Sequence, residues 1–317
     1  MTPTVDVLLA TFNGARFLPE QLESLERQTH SDWRLIVRDD GSTDRSVAIV
    51  NAFAERHRER VQVLFDNRGR LGSCGNFAAL LEASDAPYFM FCDQDDWWLP
   101  HKIADLLSTL RAVAARRGAE TPLLVHSDLI LVDNELRVLH RSFWRYSRLL
   151  DPAAVRRLGR VMIQNYVTGC ASIGNAALRR AALPIPAEAR VHDWWVALVA
   201  AILGEIAEHK VPTMLYRQHS GNEIGAKPAH LLDTIGRLIR TRGAAIREVR
   251  LSVEKSQDQA AAFAKAHKPA LGAEAERILL EFSSLRDSGF WRRKSFLFRS
   301  HLWPDYWLHS AAFALLL

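Results

Sequence analysis

The stretch FMFCDQDDWWLP, residues 89–100, runs from an apolar segment directly into carboxylates. Asp93, Asp95 and Asp96 fall within four consecutive positions, after a segment that is typical of a buried strand. Like charges this close disfavour one another's ionised state, so the arrangement is favourable only where a cation or a set of hydrogen-bond donors meets them. The stretch therefore predicts a cation site at the end of a strand.

Strand-like and helix-like patterns alternate through the first part of the chain. This alternation predicts an α/β fold with a mostly parallel sheet and right-handed crossovers. From residue 151 to about 225 the pattern is less regular. The predicted strands are residues 5–11, 33–38, 61–65, 88–92 and 122–127, and the predicted helices centre on residues 18–25, 47–53, 77–81 and 103–110.

Composition indicates a globular chain of 317 residues, 48% hydrophobic and 24% charged, with a net charge of +5. Its three cysteines are far apart and have no spacing typical of zinc or disulfide frameworks, which favours a reducing compartment. We expect no leader peptide, because the chain runs directly into VDVLLAT without a basic segment or cleavage site, and the sequence has no apolar run of the ~18 residues that span a bilayer. We therefore expect a cytoplasmic location, at the inner face of the cell membrane if the chain binds lipid.

Polar segments follow the first four predicted strands. Because ligands bind beyond the carboxyl ends of parallel strands, these segments are expected to meet at one rim. They read ATFNGARF, RDDGSTDRS, DNRGRLGSCGN and DQDDWW, and they would bring together Asp39, Asp40, Asp93, Asp95 and Asp96.

Each segment also has a plainer interpretation. DDGSTD is as consistent with a turn followed by a helix N-cap at Ser42 or Thr43 as it is with a ligand contact; in the first case Asp44 would lie near the helix dipole. DQDDWWLP is consistent with a solvated loop before a helix that starts at Pro100, although it leaves a strand that reads as buried. Glycine-rich dinucleotide and phosphate-binding loops are absent from the sequence.

Several segments in order resemble family 2 glycosyltransferases with the A-type fold, in the manner of bacterial rhamnosyltransferase-like members. The resemblance implies a mostly parallel, Rossmann-like sheet. It also implies a catalytic domain over residues 1–229, with a nucleotide-binding half (1–127) and an acceptor half (128–229), before a helical region at 230–317. The segments are VLLATFNGARFLPEQLESLERQTHSDWRLIVRDDGSTDRS, CDQDDWW, VTGCASIGNAAL, HDWWVALVA and YRQHSGNEIGA.

The resemblance also implies a nucleotide and metal site. Mg²⁺ or Mn²⁺, which prefer oxygen ligands, would be held by Asp93, Asp95 and His219. Whether Asp39 or Asp40 contacts the pyrimidine base of the nucleotide stays open. For Arg70, a solvated surface position is an equally consistent alternative to a nucleotide contact. The implied nucleotide contacts are Thr11, Phe12, Asn13, Asp39, Asp40, Arg70 and Asp93.

By the same resemblance, Asp193 is the general base that deprotonates the acceptor hydroxyl. The alternative is that Asp193 caps the helix after it; both roles are compatible. His192 stands where many members carry glutamate. The implied sugar or acceptor contacts are Asp96, Thr168, Gly169, Cys170, Trp194, Trp195 and Arg217, and for the tryptophans core packing is the alternative.

The implied reaction is an inverting transfer of a sugar to a hydroxyl of a cell-surface polysaccharide or lipid-linked glycan. The expected donor is dTDP-rhamnose, and a UDP-sugar is the alternative. A sugar nucleotidyltransferase would carry a glycine-rich first loop, which is absent. A nucleic-acid-binding module would explain the basic charge, but no recognition motif is present, so no nucleic acid is expected.

Basic charge concentrates near the C-terminus. Residues 237–300 contain 14 Lys and Arg against 7 Asp and Glu. They lead into an arginine-rich and aromatic segment, residues 290–317, whose composition suits contact with an anionic membrane. The alternative is that these aromatics pack against the catalytic domain or a partner subunit.

Overall fold

The computed structural model of the chain describes residues 4–147, 158–219 and 242–299. Its strands are β1 (Val5–Thr11), β2 (Trp33–Asp39), β3 (Val61–Val63), β4 (Tyr88–Cys92), β5 (Trp97–Trp98), β6 (Leu123–Ser127), β7 (Ile130–Val132), β8 (Val138–His140), β9 (Ser172–Asn175), β10 (Glu205–His209) and β11 (Met214–Arg217). Its helices are α1 (Leu18–Glu26), α2 (Ser46–Arg56), α3 (Gly72–Ala83), α4 (Lys102–Arg117), α5 (Phe143–Tyr146), α6 (Leu158–Ile163), α7 (Ala176–Ala182), α8 (His192–Leu203), α9 (Arg242–His267), α10 (Ala273–Ser283) and α11 (Phe290–Arg299).

The main sheet has seven strands in the order β10-β6-β9-β4-β1-β2-β3. Its pairings are parallel except for those of β9, which runs antiparallel between β4 and β6. The register pairs Thr11 with Asp39 and Leu9 with Cys92, so β1, β2 and β4 end at the same edge. The predicted α/β fold with a mostly parallel sheet is confirmed, and the polar segments after these strands meet at that edge.

The boundaries of the predicted strands agree closely with the structure. β1 and β4 match the prediction, β2 is one residue longer, and β3 stops at Val63, leaving Phe65 79% exposed. The alternative interpretation with a helix N-cap at Ser42 or Thr43 is not observed, because α2 begins at Ser46. The alternative helix start at Pro100 is not observed either, because α4 begins at Lys102.

A second, four-stranded sheet has the order β5-β11-β7-β8. β11 pairs with β5, which directly follows the carboxylates of the quoted stretch. The end of β11 therefore comes to lie against the loop between β4 and β5, residues 93–96, which we call the acidic loop. β9, β10 and β11 belong to the part of the sequence that looked less regular, because they are short and carry polar residues in place of continuous apolar runs.

The described C-terminal helices pack against the preceding elements through one continuous core. Trp195 of α8 lies 5.4 Å from Phe263 of α9, measured between ring centroids. Phe282 and Phe296, from α10 and α11, are buried in the same apolar cluster. The predicted domain boundary at residues 229 and 230 lies outside the described residues. Among the described helices, none has both the length and the apolar character needed to cross a membrane.

Candidate active site

Gln94 of the acidic loop joins that loop to the loop after β1. Its amide accepts a hydrogen bond from the Phe12 backbone nitrogen at 2.8 Å and donates one to the Phe12 oxygen at 3.0 Å. A Cβ at Gly14 would lie 2.1 Å from Gln94 Oε1, so only glycine leaves room for this amide. The sequence ATFNG is therefore fixed in place by a residue 82 positions further along the chain.

Side-chain hydrogen bonds connect the loops after β1 and β2. Asn13, at a φ of 48°, accepts a hydrogen bond from the Thr43 backbone nitrogen at 2.8 Å. Asp39 accepts from the Thr11 hydroxyl at 2.8 Å and from the Ser42 backbone nitrogen at 2.7 Å. These bonds shape the rim before any ligand is present.

Asp40 fixes the segment that leads into α3. Its carboxylate accepts hydrogen bonds from the backbone nitrogens of Leu71 and Gly72, at 2.7 and 2.8 Å, and is 3% exposed. It also pairs with the buried Arg38, which forms a two-bond contact with Asp66. Asp39 is the more accessible of the two aspartates.

Arg70 is exposed and lies over the Phe12 ring, with 4.0 Å between its guanidinium carbon and the ring centroid. A guanidinium in this position forms a cation–π contact and keeps its donors available to an anion. The structure thus brings Arg70 to the same rim as Thr11, Asn13 and Asp39.

Asp95, in the loop before β5, and His219, two residues after β11, lie side by side. His219 Nε2 lies 2.7 Å from Asp95 Oδ2, and both side chains are about one-sixth exposed, at 15% and 16%. The Phe17 ring packs at 4.9 Å from the histidine ring. Two of the three predicted metal ligands are therefore adjacent.

Arg217 lies beneath this pair, where it is 0% exposed. Its Nε donates to the Asp95 carbonyl oxygen at 2.9 Å, and its Nη2 pairs with Glu20 at 2.6 Å. Its backbone nitrogen donates to Asp96 Oδ1 at 3.2 Å. The expected sugar contact of Arg217 is corrected: the guanidinium is enclosed and positions the acidic loop.

Asp93 points to the other side of the loop. Asp93, Asp96 and Cys170 place their ligand atoms within 4.8 Å of one another, so this trio, rather than Asp93, Asp95 and His219, is the compact group among the described residues. Burial and the neighbouring charge of Asp95 raise the pKa of Asp93 to about 7. The expected sugar contact of Asp96 is also corrected, since Asp96 is 0% exposed.

A buried lysine lies under this trio. Lys102 is 0% exposed; its ammonium donates to the carbonyl oxygen of Cys170 and lies 4.1 Å above the Trp98 ring. Burial lowers the pKa of Lys102 to about 8. Its positive charge partly offsets the repulsion between Asp93 and Asp96.

Asp193 lies in the first turn of α8 and is held from two sides. Gly169 N donates to its Oδ2 at 2.9 Å, and Asn165 Nδ2 donates to its Oδ1 at 3.0 Å. Burial raises the pKa of Asp193 to about 6. The helix N-cap position belongs to Val191, but the Asp193 carboxylate lies in the first turn and interacts with the backbone N–H groups of Trp194 and of Asp193 itself, so it also stabilises the start of the helix.

The residues flanking Asp193 belong to the core. His192 stacks on Phe77 at 3.9 Å between ring centroids, and burial lowers its pKa to about 3, so the ring is neutral. The indole nitrogens of Trp194 and Trp195 donate to the carbonyl oxygens of Val161 and Ala182. The expected sugar stacking of both tryptophans is therefore replaced by packing; Thr168 remains half-exposed and Gly169 is buried against Asp193.

The C-terminal helix α9 holds the segment before Asp193. Gln259 accepts a hydrogen bond from the Arg190 backbone nitrogen at 2.9 Å. The Arg190 side chain donates to Ser256 at 2.8 Å and lies 4.4 Å above the Trp194 ring. The start of α8 is thus supported by residues more than 60 positions away in sequence.

Sequence reasoning missed Gln94, Lys102, Asn165, Arg217's supporting role and Gln259. In CDQDDWW the carboxylates predict a cation site, whereas no pattern in the sequence indicates a role for Gln94 between them. A lysine at the start of an amphipathic helix reads as a solvated residue, and only the fold shows that it faces inward.

Comparison with known proteins places part of this rim in a family. The family described as "Glycosyl transferase family 2" matches residues 6–116. These residues therefore form a family 2 glycosyltransferase domain. The resemblance identified from the sequence is confirmed, and so is the enzyme class, a transferase.

Similar proteins extend the likeness beyond this domain. An uncharacterized glycosyltransferase of Nostoc sp. is 26% identical over 233 residues, which cover 69% of this chain and 66% of the relative, slightly under two thirds of its length. The dTDP-rhamnosyl transferase RfbG of Shigella flexneri is 26% identical over 225 residues, or 69% of this chain and 74% of RfbG. Residues 1–349 of S. aureus TarS, solved in complex with UDP-GlcNAc, share the fold at a TM-score of 0.52 and 15% identity, and the match covers 94% of this chain and 83% of that 1–349 chain.

Proposed function

We propose that this family 2 glycosyltransferase moves a sugar from a nucleotide diphosphate to an acceptor hydroxyl, with Asp193 as the general base. The observation that carries the proposal is the connection through two neighbouring residues: Cys170 contacts Asp93 on the acidic loop, and Gly169 donates to Asp193. Cys170 and Gly169 therefore connect two parts of one rim. We call the loops after β1, β2 and β4 the donor side, and Asp193 with its immediate neighbours the base side, after the general base.

The chemistry of transfer matches this arrangement. The acceptor oxygen attacks the anomeric carbon while Asp193 takes the hydroxyl proton, and the bond from that carbon to the diphosphate oxygen breaks with its electron pair leaving on the nucleotide. A base with a pKa of about 6 is ionised at neutral pH and still accepts a proton readily. One displacement of this kind inverts the configuration of the sugar.

The donor pocket is the rim formed by the loops after β1 and β2. Thr11, Phe12, Asn13, Asp39 and Arg70 lie there, and Arg70 supplies the exposed positive charge for a diphosphate. We assign the contact with the pyrimidine base of the nucleotide to Asp39 and Asp40. Asp39 is the more accessible of the two, and Asp40 holds the segment before α3.

Asp95 and His219 fit a hard divalent cation, Mg²⁺ or Mn²⁺. Both side chains are partly exposed, with their ligand atoms 2.7 Å apart; the carboxylate oxygen suits either ion, and the imidazole nitrogen favours Mn²⁺, the transition metal of the two. Asp93 is the third candidate ligand. A bound cation would offset the negative charge that develops on the leaving diphosphate. The buried Arg217 keeps Asp95 in place through its carbonyl oxygen.

The donor sugar that we propose is rhamnose carried by dTDP, with a cell-surface polysaccharide or lipid-linked glycan as the acceptor. The support is the similarity to RfbG, which is named a dTDP-rhamnosyl transferase. A UDP-sugar is the alternative that a donor scan distinguishes.

Helix α11 is the proposed contact with an anionic membrane. Phe290 and Trp291 at its start are 58% and 82% exposed, and Arg292 beside them is exposed as well. Exposed aromatics next to cations suit the headgroup region of a bilayer. Residues 300–317, which the sequence also assigned to this contact, lie outside the described residues.

The experiment that tests the function is a scan of dTDP-, UDP- and GDP-sugars with the full chain, in Mg²⁺ and in EDTA. We expect transfer with one donor class, loss of transfer in EDTA, and loss of transfer in Asp95→Ala. Asp193→Asn should bind the donor normally and turn over ~100-fold more slowly or worse, because the amide keeps the shape but is not basic. Near-normal turnover of Asp193→Asn would overturn the assignment of the base.

A further inference from the structure

The acidic loop has an inner face on which Asp96 has no role in the proposed transfer. There Asp96 is 0% exposed, and its Oδ2 has no hydrogen-bond partner among the described residues. A buried carboxylate oxygen without a hydrogen-bond donor is unfavourable unless a positive charge lies beside it. Asp96 is aimed at Asp93 and Cys170, whose ligand atoms lie within 4.8 Å of it and of each other.

The chemistry of this inner face differs from that of Asp95 and His219. Two carboxylates and a thiol make a softer donor set than oxygen and imidazole alone, and thiolate ligands select Zn²⁺ or Cd²⁺ over Mg²⁺. We propose that Asp93, Asp96 and Cys170 form an interior site for a thiophilic divalent cation, separate from the position at Asp95 and His219. Binding there forms a metal–sulfur bond and releases the thiol proton to solvent.

Occupation of this interior site has a consequence for the enzyme. Asp93 is shared with the outer rim, so an ion bound inside withdraws one carboxylate from the donor side. A thiophilic cation is therefore an inhibitor of transfer, acting from behind the acidic loop.

Lys102 opposes the ion. Its buried ammonium contacts the carbonyl oxygen of Cys170 and Met214 Sδ, the latter at 3.0 Å, and thus lies next to the site. Like charges repel strongly where water is excluded. Removing this charge while keeping the apolar stem is expected to tighten metal binding, whereas removing a ligand is expected to weaken it.

The experiment uses the full chain, freed of metal, and Cd²⁺ as the probe, followed by the ultraviolet charge-transfer band of a cadmium–thiolate bond. We expect a band that saturates at one Cd²⁺ per chain. Cys170→Ser should lose the band, and Lys102→Met should bind Cd²⁺ more tightly than the unaltered chain. Cys74→Ser is the matched control, because Cys74 lies on α3 outside the trio, and it should keep the band.

Two further measurements do not depend on the serine variant folding normally. Asp96→Asn keeps the thiol, so it should retain the band at saturation with affinity weakened ~10–100-fold. X-ray absorption of the Zn²⁺ complex of the unaltered chain should show sulfur at ~2.3 Å. An unaltered chain without the band, or a band that survives in folded Cys170→Ser, would overturn the proposal. None of these readouts requires glycosyl transfer, so their result is independent of the proposed function.

Discussion

The donor side and the base side of this site are built by different means. On the donor side, many side-chain-to-backbone hydrogen bonds hold the loops, such as those of Asn13 and Asp39. On the base side, two hydrogen bonds also hold Asp193, but there the backbone of Gly169 packs so closely against the side chain that no Cβ fits, and the neighbouring His192 is stacked on Phe77. A network that shares its hydrogen bonds tolerates the loss of one, whereas a packed contact responds to a single added carbon atom.

The largest expected effect comes from adding one methyl group on the base side. In Gly169→Ala the new Cβ would lie 2.9 Å from Asp193 Cβ and 3.2 Å from its Oδ2, so the base has to move. A shift of about 1 Å in a reacting group costs on the order of 100-fold in rate, and we expect turnover to fall by about that factor with donor affinity unchanged.

The matched control for this variant is Gly272→Ala. A Cβ at Gly272 has nothing within 4 Å, and its backbone is extended, so folding and turnover should be normal. Turnover of folded Gly169→Ala within threefold of normal would show that close packing does not position Asp193.

The pH profile gives the next largest effect. Burial raises the pKa of Asp193 to about 6, and the base works only when ionised. At saturating donor, turnover should therefore be level above pH 6 and fall about tenfold per unit below it. The falling limb should be absent from the residual activity of Asp193→Asn. A limb with a midpoint near 4, the usual range for an exposed carboxyl, would show that the base is solvated.

The sequence predicted the donor side better than the base side, and the reason is physical. Residues of the donor rim follow strands directly, so the periodicity that predicts β1, β2 and β4 also places Asp39 and the acidic loop. Asn165 contacts Asp193 across 28 positions, and Gln259 contacts Arg190, just before Asp193, across 69 positions, both only through tertiary packing. Nothing in the local pattern indicates such contacts.

The same reason explains the corrections at the rim. Arg217, Trp194 and Trp195 are residue types that often bind sugars, and their letters do not indicate which direction they face. The fold turns Arg217 inward because β11 joins the small sheet under Asp95, and it turns both tryptophans into the core against α6 and α7.

A change on the donor side should be milder and should affect binding instead of turnover. Gln94→Leu removes both hydrogen bonds to the Phe12 backbone while nearly keeping the volume. With about 1 kcal/mol for each of the two bonds, donor affinity should weaken by up to roughly 30-fold, and turnover at saturating donor should stay within threefold. Gln28→Leu removes amide bonds of the same kind to the Leu99 and Ser24 carbonyl oxygens, outside this rim, and serves as the control. A fall in turnover with unchanged donor affinity would place Gln94 on the base side.

The smallest effect concerns a residue that belongs to neither side. Trp291 is 82% exposed at the start of α11, so Trp291→Ala leaves the core intact and changes only the surface. If α11 lies in the headgroup region, the variant should sediment several-fold less with anionic vesicles, and salt should weaken the remaining binding because Arg292 and Arg293 contribute to it. The control is Val211→Ser. Val211 is an exposed apolar residue between β10 and β11, 60% exposed, and its variant should bind vesicles normally. Equal sedimentation of Trp291→Ala and the unaltered chain would assign this tryptophan to a protein contact, while turnover on a water-soluble acceptor should be the same in all three proteins.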